Sequence, residues 1–313
     1  MTIKIVTFEE QYFEEAARLV QARYKALRQQ LPMLPERYEQ EEALLELMGE
    51  LGEERRGVAA LRDGKLVGFL AGLTIHKFMG KRSAYSPIWA NGVVQEESQR
   101  IYEEMYTHLA DQWVADGCDL HLLSLLADDA KGLQSWQWLG FGLINVDAVR
   151  GLDAVEGLAS PVEMRQACTK DIRTLSRLGK ALETHLATSP TFFIHSLGDF
   201  GERLETAGEA VWLAEADGET AGFITMEPGN CCECEFLKDE RTINIAGTFT
   251  EDSWRGRGVA TALLNQGLAW AKQEGYERCT VDFETGNPLA RRFWSHWFQP
   301  VGYSLMRWVD ERL

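Results

Sequence analysis

The chain has 313 residues, 45% of them hydrophobic and 26% charged, which is the make-up of a water-soluble globular protein long enough for two domains. Its formal net charge of −16, with no basic stripe, argues against a non-specific nucleic-acid binder. No apolar run approaches bilayer length, and acidic residues between Met1 and Tyr12 stand where a signal peptide would be apolar, so the expectation is a cytoplasmic protein with no membrane partner.

In chain order, the first half reads as strand Ile3 to Phe8, a helix over Glu10 to Gln29 and a helix near Glu36 to Leu51. A hairpin from Gly57 to Leu73 turns at Arg62-Asp63-Gly64-Lys65, and a strand region covers Ala84 to Val94. The helix Ser98 to Ala115 ends at Gly117, and strand Leu120 to Leu126, helix Asp129 to Trp138 and strand Phe141 to Val149 follow. Gly151 to Pro161, short and weakly polar, reads as a linker.

The second half repeats the series, as an internal duplication would. Strand Val162 to Cys168 leads through Thr169, an N-cap residue type, into a helix over Asp171 to Leu186. There Ile172, Leu175, Leu178, Leu182 and Leu186 recur with the period of a core-facing stripe. A helical stretch covers Leu197 to Thr206, and strands Ala210 to Glu215 and Thr220 to Met226 flank the turn Ala216-Asp217-Gly218-Glu219. The chain then carries Cys231-Cys232-Glu233-Cys234. No further CxxC pair and no histidine at zinc-site spacing accompanies this cluster, so it reads as thiols in a surface insertion of a reducing compartment, and no metal is expected. Ile243 to Thr250 is β-branched and strand-like, a helix spans Val259 to Glu274 and stops at Gly275, and strand Cys279 to Phe283 precedes a helix opened by Asn287-Pro288. Tyr303 to Val309 closes the second domain as a strand.

Between strand and helix lies Arg255-Gly256-Arg257-Gly258-Val259-Ala260. The first turn of a helix leaves amides without partners and is the positive end of the peptide dipoles, and glycines let a ligand approach, so this junction suits a pyrophosphate. A dinucleotide-binding βαβ unit needs its glycines directly after the strand, whereas Glu251 to Arg255 intervene here beside antiparallel hairpins.

The second half resembles the GNAT family of N-acetyltransferases. Arg255-x-x-Gly258-x-Ala260 fits the family's Gln/Arg-x-x-Gly-x-Gly/Ala pyrophosphate loop, and Asn287-x-x-Ala290, 29 residues after Gly258, fits its Asn-x-x-Ala helix start. The order of elements over residues 162 to 313 agrees as well. The resemblance implies an α/β (α+β) fold of two tandem GNAT-like domains, residues 1–155 and 156–313. Each would be a mixed, mostly antiparallel, twisted sheet with splayed central parallel strands, flanked by helices. It implies acetyl-CoA as co-substrate, with Phe249, Thr250, Arg255, Gly256, Arg257, Gly258, Val259, Ala260, Asn287, Ala290, Arg291 and Trp294 as coenzyme-binding positions. Aligning Gly117 with Gly275 sets Glu97 against Arg255, Arg100 against Gly258 and Tyr102 against Ala260, so residues 1–155 read as a degenerate copy without a coenzyme site.

For the chemistry, Asp282 and Glu284 share one strand face and are candidate bases, with Glu227 a weaker one. The family's usual acid, a tyrosine four residues past the alanine, is Trp294 here, and indole does not give up its proton; Tyr303 is the candidate substitute. The expected activity is an acetyl-CoA-dependent N-acetyltransferase acting on a small amine or peptide acceptor, as monomer or homodimer. The alternative is a non-catalytic acyl-CoA-binding or partner-binding protein on the same fold.

Overall fold

A computed structural model describes residues 2–52, 55–94, 97–157 and 160–312, and the Cys231 side chain lies outside the described set. The chain divides into two compact units, Met1–Asn145 with Val301–Leu313, and Val146–Pro300.

The first unit contains β1 (Lys4–Thr7), α1 (Phe13–Gln30), α2 (Glu41–Gly49), β2 (Arg56–Arg62), β3 (Lys65–Phe78), β4 (Lys81–Ser86), β5 (Asn91–Val93), α3 (Ser98–Ala115), β6 (Leu120–Leu126) and α4 (Ala130–Trp138). The β2–β3 hairpin closes on Asp63 and Gly64 with φ of 50° and 79°, the paired positive values that a two-residue turn needs to match strand twist. The strand expected over Ala84 to Val94 is two: β4 pairs with β3 and β6, while β5 folds back onto β3 after the turn at Pro87–Ala90. The β4–β6 pair is parallel, whereas β1–β2, β2–β3, β3–β4 and β3–β5 are antiparallel.

Next, β7 (Gly142–Gly151) crosses the division between units at Asn145/Val146. The second unit continues with β8 (Glu163–Gln166), α5 (Ile172–Ala187), α6 (Phe200–Glu205), β9 (Ala210–Ala216), β10 (Glu219–Pro228), β11 (Thr242–Thr250), α7 (Val259–Gln273), β12 (Arg278–Glu284) and α8 (Pro288–Trp297). Its strands lie in the order β7-β12-β11-β10-β9-β8, with β11–β12 parallel and the β8-β9-β10-β11 run antiparallel. The stripe on α5 packs as its spacing predicts: Leu175, Leu178, Leu182 and Leu186 meet Val211, Leu213, Phe223 and Phe249 of the sheet. Among the described residues, no helix is long and apolar enough to cross a membrane.

The last strand departs from expectation. Strand β13 (Gln299–Trp308) crosses the division at Pro300/Val301 and completes the first unit's sheet, pairing antiparallel with β6 from Gly302↔Leu126 to Trp308↔Leu120. Leu305 is fully buried in the first unit's core with Met105, Tyr106, Trp113 and Trp136. The compact units are divided at Asn145/Val146 and at Pro300/Val301. Periodicity marks β13 as a strand but carries no information about which sheet edge it joins.

The cysteine segment also differs. Cys232 and Cys234 are buried, not exposed on an insertion, and the turns Gly229–Cys231 and Glu235–Leu237 fold the segment inward on Phe236 and Leu237. No group of His, Cys, Asp or Glu suited to a metal occurs among the described residues. Replacing Leu305 by Ala will destabilise the protein by about 2–5 kcal/mol in a urea titration, because it cavitates the first unit's core; Leu305→Met, which keeps the volume, will cost below about 1.5 kcal/mol.

Candidate functional site

The site begins with backbone geometry. Strand β11 pairs with β10 along its length to Gly222↔Thr250, but with β12 only over Thr242↔Arg278 to Ile245↔Val281. The register against β10 slips between Thr225↔Gly247 and Met226↔Ile245, leaving Ala246 as the extra residue of a β-bulge where the two parallel strands part. A bulge bends its strand and increases local twist, so from Ala246 to Thr250 the β12-facing edge of β11 opens into a cleft.

At the end of β11 the chain turns through Asp252–Trp254 into Arg255-Gly256-Arg257-Gly258. Gly258 is the N-cap of α7 in the left-handed conformation, φ 79°, and no side chain caps the helix. The first-turn amides therefore keep their capacity for an external acceptor at the positive end of the helix. Gly256, φ 72°, has nothing within 4 Å of where a Cβ would sit, so the backbone there is open to approach. Arg255 folds over the loop, donating from Nε to the Thr250 carbonyl at 3.2 Å, pairing with Asp252 at 2.8 Å and lying 5.6 Å from the Phe249 ring centre.

Cleft and loop share a cavity of about 390 Å³. Of the expected coenzyme positions, Phe249, Thr250, Arg255, Gly256, Gly258, Val259, Ala260, Asn287, Ala290 and Trp294 line it. Arg257 does not; its guanidinium lies 5.1 Å from the Trp254 ring centre. Arg291, exposed on α8, is also outside the lining. The Asn287 carboxamide accepts from the Ala290 amide at 3.2 Å and caps α8, with Pro288 in the first turn. This cap sets the helix that carries Trp294, whose ring is 6% exposed and packs edge-on against Phe293 and Phe298.

The cavity wall carries an unmet chemical demand. The hydroxyls of Thr248 and Thr250 are buried without a hydrogen-bond partner among the described residues. Orphaned polar atoms in a cleft bounded by an open strand edge and an uncapped helix start fit a ligand rich in amides and phosphates, as coenzyme A is. The sequence reading missed Thr248, although period-two alternation from Thr250 places it on the same face. It also missed His185 and Leu182, which enter from α5.

A second cavity, of about 120 Å³, lies where the strands part and brings together Asp282, Glu284, Asn287, Trp294 and His195. Both expected carboxylates are thus at the cleft. No periodicity or motif points to His195, which stands in the connection from α5 to α6. Glu227 is committed elsewhere: Asn244 donates to it at 2.9 Å and Arg203 pairs with it at 3.0 Å. Tyr303 lies in the first unit, opposite Leu125, half-buried against that unit's core, and lines neither cavity. Burial raises its pKa.

The first unit has the same strand arrangement and a filled groove. Parallel pairing of β4 and β6 ends at Ser86↔Leu123 while β6 continues to Leu126. Asn91 fills the parting, its amide donating to the carbonyls of Ser124 at 3.0 Å and Pro87 at 2.9 Å. Fully buried Tyr102 and Trp136 pack with tilted rings, centroids 5.3 Å apart. Asp129 caps α4 through the Gly132 amide at 2.8 Å and pairs at 3.0 Å with Arg23, which also donates to the Tyr102 hydroxyl. Glu97 pairs with Arg62.

Residues 180–298 match the model of the acetyltransferase (GNAT) family. An uncharacterized N-acetyltransferase of Methanocaldococcus jannaschii is 27% identical over 70 residues, 21% of this chain and 28% of that protein. A GCN5-related N-acetyltransferase from Sphaerobacter thermophilus superposes over 98% of this chain and 95% of its own, with 12% identity and a TM-score of 0.59. A GCN5-related glucosamine N-acetyltransferase region of a fungal multi-domain β-N-acetylglucosaminidase covers 97% of this chain, with 13% identity and a TM-score of 0.53. The chain spans 38% of that fungal protein, so the alignments with it and with the archaeal relative each cover well under half of the relative's length. At these identities the structural likenesses establish the fold, mixed α/β with a mostly antiparallel sheet flanked by helices. The family match over the segment that builds the cleft, loop and α8 cap makes residues 180–298 a domain of the GNAT acetyltransferase family.

Proposed function

We propose that the second unit is an acetyl-CoA-dependent N-acetyltransferase acting on an amine, and that the first unit is a degenerate copy that binds no coenzyme. The observation that carries this reading is the convergence, in one cavity, of the opened β11 edge, the orphaned Thr248 and Thr250 hydroxyls and the uncapped start of α7. The filled groove of the first unit supports the assignment to the second.

In this reading the α7 amides from Val259 onward and Arg255 hold the pyrophosphate, and the unpaired edge of β11 takes up the amides of the pantetheine arm. Acetyl-CoA supplies an acyl group on a sulfur leaving group. Attack by a neutral amine forms the C–N bond, the C–S bond breaks to release the thiolate, and the amine's proton passes to a base. Glu284, on the cleft wall beside Asn287 and Trp294, is that base. The indole of Trp294 supplies no proton and Tyr303 is not in the cavities, so the thiolate leaves without a side-chain acid, as the moderate acidity of thiols permits. Holding the two reactants together is the larger contribution of the site.

Two experiments test this. Isothermal titration with acetyl-CoA will show saturable binding to the wild type and about 100-fold weaker binding to Gly258→Glu, which sets a carboxylate against the pyrophosphate in a loop that needs positive φ. Equal affinity in that variant would remove the site. With an acceptor found by mass spectrometry of acetylated products across an amine panel, Glu284→Gln will lower kcat by about 100-fold with acetyl-CoA affinity unchanged. Coenzyme binding with no acetylated product from any amine would identify a non-catalytic acyl-CoA-binding protein.

A further inference from the structure

The connection between α5 and α6 carries a histidine that neither an apolar period nor a motif explains, and the fold brings it to the cleft. The connection is braced on its neighbours. The Phe193 amide donates to the Leu186 carbonyl of α5 at 2.8 Å, and the Thr191 hydroxyl donates to the Gly286 carbonyl, between β12 and α8, at 3.3 Å. Farther along, the Leu197 amide donates to Glu183 at 3.4 Å, Arg203 donates to the Leu197 carbonyl at 3.1 Å, and the Leu197 side chain is buried with the α5 stripe. Between these anchors His195 lines the smaller cavity with Asp282 and Glu284, yet remains exposed to solvent. The Phe193 ring stacks beside it, ring centres 6.1 Å apart.

The charged groups facing this segment come from three elements. Asp282 and Glu284 of β12 share the cavity with His195. Glu183 of α5 accepts the Leu197 amide and pairs with Lys180 at 3.0 Å, and Arg203 of α6 is engaged by Glu209 and Glu227. Among the described residues, no hydrogen bond or ion pair ties down the His195 imidazole nitrogens. An imidazole placed between a carboxylate-lined cavity and solvent can carry a proton from one to the other.

The proposed transfer has two protons to place. At about pH 7 only on the order of one alkylamine molecule in a thousand is neutral, so the form that meets the carboxylates is the ammonium ion. Its nitrogen sheds one proton before it can attack and a second as the C–N bond forms. Glu284 takes the second. For the first, an ordinary imidazole is a better acceptor than an ordinary carboxylate by about two pKa units, roughly 100-fold. We propose that His195 is a second proton acceptor of the transferase, taking the first proton from the ammonium group of a basic aliphatic amine bound in the smaller cavity. The inference rests on the transferase reading above. A ring nitrogen of His195 takes the proton, the lone pair left on the amine attacks the thioester carbonyl, and the imidazolium returns the proton to solvent. The C–S bond then breaks with its electron pair on sulfur while Glu284 takes the second proton, so ammonium ion and thioester give amide, thiolate and two protons. An arylamine, already neutral at that pH, makes no use of His195.

The test is steady-state acetylation by the full chain of two amines of like shape, ethylamine and 2,2,2-trifluoroethylamine. The fluorines withdraw charge from nitrogen, so at about pH 7 the first is an ammonium ion and the second is mostly neutral. His195→Gln, which keeps a polar side chain but does not titrate, will lower kcat/KM for ethylamine by about 100-fold, and for the fluorinated amine by less than about threefold, with acetyl-CoA affinity unchanged. Where the amine panel yields a different acceptor, the variant will lose about 100-fold at about pH 7 and less than about threefold at about pH 10, where the amine loses its proton unaided. Equal losses for the two amines, or a loss that does not change with pH, overturn the assignment by making His195 a shape-giving residue. Full activity of the variant toward a basic amine overturns it as well. Failure of the transferase reading shows separately, in the wild type, as absence of acetyl-CoA binding or of acetylated product from any amine.

Discussion

A strand inside a sheet must satisfy its backbone on both edges, and β11 does so on one edge only beyond Ile245. The Ala246 bulge forces this: one extra residue against β10 turns β11 away from β12 while the β10 ladder continues to Thr250. A bare sheet edge at the surface invites another strand. Here it lies in a cleft closed by α5 and α8, so it is accessible to a slender, amide-bearing ligand. The other features of the site follow from that parting. The Thr248 and Thr250 hydroxyls are left without a hydrogen-bond partner among the described residues, and α7 begins where the diverging strand ends. The Asn287 cap then brings Trp294 to the far wall.

In the first unit the corresponding parting is filled by side chains. Its β4 and β6 separate in the same way, but Asn91 supplies amide donors to the carbonyls that the separation exposes. Arg23 and Asp129, each 9% exposed, then place a compensated ion pair at the start of α4. Removing one partner of such a pair leaves a buried charge, so the filling is mutually dependent and not easily undone. Whether a unit of this architecture can accept an anionic ligand is thus decided by a few side chains at the helix starts. In the second unit the aligned positions are Arg255, Gly258 and Ala260; in the first, Glu97, Arg100 and Tyr102 take their places.

The proposed division between the units rests on residue types at fixed spacing that the sequence displays: Gly258 and Ala260 against Arg100 and Tyr102 after a strand, with Asn287-x-x-Ala290 beyond. Helices such as α5, with one apolar stripe, and hairpins with Asp-Gly turns were legible for the same reason. Three features were not. The Ala246 bulge has no residue signature, since alanine in a β-branched run reads as ordinary strand. The destination of β13 depends on which sheet edge it meets, and that exchange carried Tyr303 to the other unit. The burial of Asp147 was hidden because an acid in Val146-Asp147-Ala148 reads as the solvent-facing member of an alternating strand, whereas the fold leaves it 6% exposed.

Charge placement then separates two carboxylates that sequence alone makes equivalent. Asp282 and Glu284 sit two residues apart on one face of β12, and both line the smaller cavity. Asp282 is coupled to Asp147, whereas Glu284 ends its strand beside the neutral Asn287 cap, where its carbonyl accepts the Asn287 amide at 3.0 Å. A base must take up a proton during the reaction and release it afterwards, and on the proposed mechanism Glu284 is the β12 carboxylate that does so. The lack of a side-chain acid at Trp294 then costs little, because the proton that must move is the one on the attacking nitrogen, and its acceptor lies on the same wall of the cleft.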